Sequence, residues 1–145
     1  MAVVFHKMHG TGNDFVLLDL RHQSFELNPK QARRLADRHA GIGCDQVLVL
    51  NKPSCESALA DYEIWNADGS KAEQCGNGMR CIGLYLTHID GVESKRILLN
   101  GPAGKISLSF REDNMITVDM GRPDFDPASI AVTLQSNKEW HDLTT

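Results

Sequence analysis

From Asp61 to Gly91 the chain reads DYEIWNADGSKAEQCGNGMRCIGLYLTHIDG, and its periodicity changes partway along. Asp61–Trp65 alternates polar and apolar side chains, as a strand with one buried face does. Glycine and small polar residues follow. From about Asn77 to His88 the pattern turns helical: Ile82, Tyr85, Leu86 and Ile89 stand at i, i+3, i+4 and i+7, so one face of the helix is predicted to be buried. Gly91 stops it.

Outward from this stretch, short apolar runs alternate with turn signals. Val3–Met8, Phe15–Leu20 and Gln46–Leu50 read as strands before it, and Arg96–Leu99, Ile106–Phe110 and Met115–Met120 as strands after it. The last two are joined by Arg111-Glu112-Asp113-Asn114, a hairpin-turn composition. A further helix starts at Asn28-Pro29, an N-cap followed by proline at the first helical position. It is predicted to run to about His39 and stop at Gly41, with Ala32, Leu35, Ala36 and His39 on one face. Seven strands and two helices in this order predict an α+β domain in which a mixed, curved β-sheet or barrel wraps a central, largely buried helix.

Composition narrows the function classes. The 145 residues suit one domain, and 41% hydrophobic with 23% charged residues is the mix of a soluble globular protein. The net charge is -4 and the basic residues are scattered, with no stripe to meet a phosphate backbone, so no nucleic-acid partner is expected. No apolar run approaches the length of a membrane span, and the N-terminal MAVVFHKMHG lacks a signal-peptide pattern. A cytoplasmic location is expected. The four cysteines, Cys44, Cys55, Cys75 and Cys81, include no C-x-x-C pair. In a reducing compartment such thiols are buried, metal-binding or catalytic rather than disulfide-bonded. A zinc site would need histidines drawn from distant segments, so no metal is expected.

The chemistry concentrates between Asn66 and Cys81, where Cys75 stands just ahead of the predicted helix. The positive end of the helix dipole and its free N–H groups favour a thiolate there. Gly76 and Gly78 allow close backbone approach to a ligand. The N–H groups of residues 76 to 78 could hold a substrate carboxylate. A thiol beside an anion site suits removal of a proton α to a carboxylate, with the thiolate as general base and the developing charge stabilised where it forms. The same pattern also fits a plain turn with a small buried residue. Cys81, one turn inside the amphipathic helix, reads as packing. Cys44 lies in a turn leading into a strand, and Cys55 lies in a polar loop and reads as inert.

The string Glu73-Gln74-Cys75-Gly76-Asn77-Gly78-Met79-Arg80-Cys81 closely resembles the signature around the first catalytic cysteine of diaminopimelate epimerases. Three other segments resemble that family and follow its order: Lys7-Met8-His9-Gly10-Thr11-Gly12-Asn13-Asp14-Phe15, Gly41-Ile42-Gly43-Cys44-Asp45-Gln46, and Trp65-Asn66-Ala67-Asp68-Gly69-Ser70. The matches extend to about residue 85, then thin to Gly101-Pro102-Ala103-Gly104.

The resemblance implies cofactor-independent epimerisation of LL-diaminopimelate to meso-diaminopimelate, a step toward lysine and peptidoglycan. One thiolate takes the α-proton from one face and a second thiol returns a proton to the other. Cys75 would be one of the pair. Gly76 and Asn77 would bind the carboxylate and amine region, and Asn13, Gln46 and Asn66 would make the other contacts. Neutral amides suit a zwitterionic ligand because each both donates and accepts. From the residues alone, Asn13 could simply shape a turn, Asn66 cap a strand and Gln46 face solvent at an edge. Arg80 could pair with a carboxylate or serve structurally. His6 and His9 read as structural. No cofactor is implied, and Gly10-Thr11-Gly12-Asn13 lacks the ending of a phosphate loop.

In the resembled family the second cysteine lies in a C-terminal domain, and the active site is the cleft between the halves. The chain stops at Thr145, about half the expected length, so it is expected to be an N-terminal half that epimerises poorly alone. Complete members are usually homodimers, and the resemblance implies one here. Two alternatives stand beside this reading. One is a related isomerase of the same fold acting on another small molecule. The other is a non-catalytic ligand-binding or redox-sensing domain in which Cys75 is reversibly oxidised.

Overall fold

In the computed structural model, residues 2–113 and 115–126 are described. The elements are β1 (His6–Gly10), β2 (Asn13–Asp19), α1 (Pro29–Ala36), β3 (Gln46–Asn51), β4 (Ala60–Asn66), β5 (Lys71–Ala72), α2 (Gly76–His88), β6 (Arg96–Gly101), β7 (Gly104–Phe110) and β8 (Ile116–Asp119). The strands make one mixed eight-stranded sheet in the order β1-β2-β3-β4-β6-β7-β8, with β5 paired to β4. The β2–β3 and β4–β6 pairs are parallel, and the others are antiparallel. Helix α2 packs against β1 and β2 at one end of that order and against β7 and β8 at the other. One helix can touch both ends only if the sheet curves around it, and the expected curved sheet around a central helix takes the form of a half-barrel.

The longest apolar runs are buried on both faces. Phe15 and Leu17 of β2, Leu48 and Leu50 of β3, and Tyr62 and Ile64 of β4 point inward to Met79, Ile82 and Leu86 of α2. Their neighbours Val16, Leu18, Val47, Val49 and Trp65 point outward and are covered by Ala32 and Ala36 of α1. Each fully buried side chain of this size contributes roughly 1.5–3 kcal/mol over exposure, so the two layers together hold β2, β3 and β4 firmly. This rigid centre carries the residues discussed below.

Several boundaries differ from the sequence reading. Helix α1 begins as expected, with a reciprocal capping box between Asn28 and Gln31 at 3.0 Å in both directions. It ends at Ala36 rather than His39. Asp37 is extended, and its carboxylate accepts from the backbone N–H groups of His39 (2.7 Å) and Ala40 (2.9 Å), a local bond that competes with the helix. His39 therefore leaves the helix and is exposed, while Ala32 and Ala36 are buried and Leu35 half-buried. In α2, Ile82, Tyr85 and Leu86 are buried as expected, but Ile89 lies past the last turn and is 55% exposed. Strand β1 begins at His6 rather than Val3, and β8 spans Ile116–Asp119 rather than Met115–Met120. The two-residue β5 is too short to leave a periodic signal. Asn114 of the expected β7–β8 turn lies outside the described residues. On either side of it Phe110 pairs with Ile116, and the Arg111 N–H reaches the Met115 carbonyl at 3.0 Å. Among the described residues no helix is long and apolar enough to cross a membrane.

Candidate active site

Strand directions bring the expected site residues to one end of the half-barrel. β1 ends there and β2 starts there, and the pairing of Gly10 with Asn13 fixes the tight turn between them. Thr11 and Gly12 at its tip have φ of 56° and 80°, the positive values a two-residue hairpin of matching twist requires. β3 starts at the same end with Gln46, β4 finishes there with Asn66 opposite it, and α2 begins there.

Cys75 is the N-cap of α2, with extended backbone (φ -151°, ψ 104°). Its Sγ accepts from the Gly78 N–H at 3.4 Å and donates to Asn13 Oδ1 at 3.7 Å. The sulfur thus has a donor on one side and an acceptor on the other. Space at Gly78 is tight: a Cβ there would sit 2.9 Å from Leu48 Cδ2, so Leu48 would have to shift, and 3.5 Å from the Phe15 ring. Of the three N–H groups expected to hold an anion, that of Gly78 is therefore used by Cys75 itself. Those of Gly76 and Asn77 remain, since the first residues of a helix have no intrahelical acceptor.

The amides are oriented by partners. Gln46 Nε2 donates to Asn66 Oδ1 at 2.8 Å, and Asn66 Nδ2 donates to Ser70 Oγ at 3.0 Å. Ser70 Oγ in turn donates to Asp68 Oδ1 at 2.6 Å. Gln46 Oε1 is buried and has no partner among the described residues, an exception to the usual pairing of buried acceptors. Asn77 Oδ1 accepts from Arg80, whose guanidinium also reaches Thr11 Oγ1 at 3.5 Å. Arg80 thus bonds a side-chain amide and a hydroxyl, which orients Asn77. Asn13 Nδ2 donates to Asp45 Oδ2 at 3.0 Å.

The remaining thiols differ from Cys75. Cys81 is buried in the inner core; burial first, then the neighbouring Cys75, pushes its thiol up. Cys44 is buried in the outer core, which also raises it. Cys55 lies in the β3–β4 loop, where Ser57 Oγ at 3.5 Å lowers it. The His6 ring lies 4.9 Å from that of Tyr85, tilted by 55°, at the end of α2 away from Cys75, and His9 is exposed.

Sequence reasoning passed over Asp14, Arg38 and Asp45. Asp14 and Asp45 each accept the other's backbone N–H, at 2.9 and 3.0 Å, and Arg38 bridges both carboxylates at 2.7 and 2.8 Å. Arg38, together with Lys7 at 2.7 Å, holds the Asp14 carboxyl well below the usual carboxylate range. The available signal was adjacency: Asp14 follows Asn13, and Asp45 precedes Gln46.

Fold and site define the class first: an α+β domain of diaminopimelate-epimerase-like architecture. Solved structures share it at low identity. A hydroxyproline epimerase from Agrobacterium vitis superposes with a TM-score of 0.60 at 14% identity, over 79% of this chain and 40% of that one. A protein of the phenazine biosynthesis PhzF family from Enterococcus faecalis gives 0.62 at 11% identity, over 77% and 42%. The particular family follows from sequence. The family model for diaminopimelate epimerase matches residues 5–125. The diaminopimelate epimerase of Aromatoleum aromaticum is 46% identical over 138 residues, covering 94% of this chain and 50% of that protein. That of Cupriavidus necator is 45% identical over 130 residues, covering 90% and 45%. The chain belongs to the diaminopimelate epimerase family, and it spans about half the length of the curated relatives it matches.

Proposed function

We propose that the chain supplies one half of the active site of a diaminopimelate epimerase, which interconverts LL- and meso-diaminopimelate by two-base proton transfer without a cofactor. The observation that carries this is the position of Cys75 Sγ, between the Gly78 N–H at 3.4 Å and Asn13 Oδ1 at 3.7 Å, at the N-terminus of α2. A group that alternates between base and acid must be tolerated in both states. The N–H supports the thiolate and the amide oxygen supports the thiol.

In the forward step the Cys75 thiolate takes the α-proton and becomes a thiol. The electron pair of the broken C–H bond moves into the carboxylate, whose growing charge meets the free N–H groups of Gly76 and Asn77 and the helix dipole. A thiol on the opposite face gives its proton to the α-carbon and becomes a thiolate, so the centre inverts and the two sulfurs exchange states. That second thiol belongs, on this reading, to a C-terminal domain closing over the same end of the half-barrel. Asn13, Gln46 and Asn66 line the remaining side, where the buried Gln46 Oε1 is suited to a donor such as a substrate ammonium. We further assign the complete enzyme a homodimeric state and a cytoplasmic location.

Ligand protection tests the assignment of Cys75. With the chain reconstituted with its C-terminal half, diaminopimelate slows alkylation of Cys75 by iodoacetamide while leaving Cys55 unaffected. Equal alkylation with and without diaminopimelate contradicts the reading.

A further inference from the structure

Asn13 presents its oxygen, not its nitrogen, to Cys75, and the reason lies on the other side of the amide. We propose that Asp45 is a positioning residue for the proton-transfer site: its carboxylate takes the Asn13 NH2 and thereby fixes the Asn13 carbonyl toward the Cys75 sulfur. Asn13 Nδ2 donates to Asp45 Oδ2 at 3.0 Å, and Asn13 Oδ1 accepts from Cys75 Sγ at 3.7 Å. A carboxylate only accepts. Turning the amide over would set a carbonyl oxygen against the carboxylate and an NH2 group against the thiol.

Asp45 is itself held. Its Oδ2 takes the Asp14 N–H at 3.0 Å, and its Oδ1 takes Arg38 at 2.8 Å. Its backbone N–H donates to Asp14, which is clamped by Arg38 and by Lys7. Lys7 also donates to the Gly43 carbonyl, which ties the β1 edge to the loop before β3. The chain of bonds runs from charged groups at the starts of β2 and β3 through one neutral amide to the sulfur. Cys81 interacts with Cys75, and Arg80 comes within 4.0 Å of where a Cβ on Gly76 would stand; both are on α2, and neither bonds Asn13 among the described residues.

The consequence concerns the two states of Cys75. With the amide fixed, the thiol has the Asn13 oxygen as its acceptor and the thiolate has the Gly78 N–H as its donor, so each state of the sulfur meets a partner. With the amide free to turn, its NH2 group serves the thiolate and the thiol loses its acceptor. The inference rests on the acid/base reading of Cys75. Its test reads the thiol and not turnover, so it can fail while that reading stands.

The test is the pH dependence of Cys75 alkylation by iodoacetamide in the folded chain, followed by peptide mass spectrometry, as a double-mutant cycle of Asp45→Ala and Asn13→Ala. Asp45→Ala removes both carboxylate oxygens, including the Oδ2 that takes the Asn13 NH2. Asp45→Ser is the second variant, should the first not fold by thermal melting. One hydrogen bond gained or lost predicts that either variant moves the midpoint to lower pH by about half a unit or more. In the Asn13→Ala background the same substitution moves it by less than about a third of that. A shift of equal size in both backgrounds, the mark of a charge acting through space, overturns the proposal, as does no shift in either.

Discussion

Gln46 and Asn66 stand directly opposite each other on β3 and β4, and the Gln46 amide gives its NH2 to Asn66 at 2.8 Å while its own oxygen is buried and has no partner among the described residues. An unsatisfied buried acceptor costs about 1–3 kcal/mol, so removing it should be cheap for the fold and costly for a ligand that uses it. Gln46→Leu is expected to leave thermal stability within about 1 kcal/mol of wild type. In the reconstituted enzyme it raises KM for diaminopimelate more than it lowers kcat. Calorimetry and steady-state kinetics check the two halves.

The far end of α2 is tied down by charge. Tyr85 donates to Asp19 at 2.9 Å, Asp19 pairs with Arg21, and Arg21 reaches Asp90 at 2.8 Å. Burial pushes the Tyr85 hydroxyl up to about 12, and the bond to Asp19 adds to it. A raised folded value means that this contribution is whole below the ordinary tyrosine value of about 10 and is lost as pH rises toward the folded one. Tyr85→Phe is expected to cost about 1–2 kcal/mol at neutral pH and to lose less further stability above about pH 10 than wild type does. Urea melts across that range measure it.

Asp19 gives the opposite sign. Burial raises its carboxyl, but the Arg21 guanidinium and backbone N–H and the Tyr85 hydroxyl outweigh that and hold it below its ordinary value. Its contribution is present above about pH 4 and is lost as pH falls through the folded value. Asp19→Asn is expected to be less stable than wild type at pH 7 and to show a shallower loss on acidification, read by the same melts.

Gly78 sits where the inner core meets the site. Alanine there gains up to about 1 kcal/mol of helix propensity but drives its Cβ into the buried Leu48, and overpacking costs roughly 1–3 kcal/mol. Gly78→Ala is therefore expected to lose about 1 kcal/mol net, with Leu48→Ala partly restoring the room in the double variant. Thermal melts of the single and double variants decide it.

Thr11 holds a positive φ of 56° at the tip of the β1–β2 hairpin, beside Gly12. A β-branched residue is disfavoured there, whereas asparagine followed by glycine suits this turn. Thr11→Asn is expected to stabilise the chain by about 1 kcal/mol, seen as a rise in Tm of roughly 2–8 °C.

What the sequence made legible was what is local. The helical spacing of Ile82, Tyr85 and Leu86 located α2, and the short apolar runs located β2 and β3. Those runs did not say that Val47 and Leu48 belong to separate cores, because a strand buried on both faces loses its alternation. His39 looked helical by spacing, and the bonds from Asp37 to the chain after it outweighed that. The candidate site was legible as four motifs, but their joining was not. The contact of Asn13 with Cys75 crosses 62 residues, and that of Asn13 with Asp45 crosses 32. Such pairings are set by the parallel β2–β3 register and by the docking of α2 on β1 and β2, which no local pattern encodes.

The central claim is that Cys75 moves the α-proton. Its most direct test is deuterium uptake at the α-carbon of LL- and meso-diaminopimelate in heavy water, read by mass spectrometry. The chain is mixed with its separately expressed C-terminal half and compared with the Cys75→Ser variant in the same mixture. The account predicts exchange with the wild-type chain and a loss of about a hundredfold or more with serine, the scale of a removed general base. No exchange from halves that demonstrably associate, or undiminished exchange with serine in place, would contradict it.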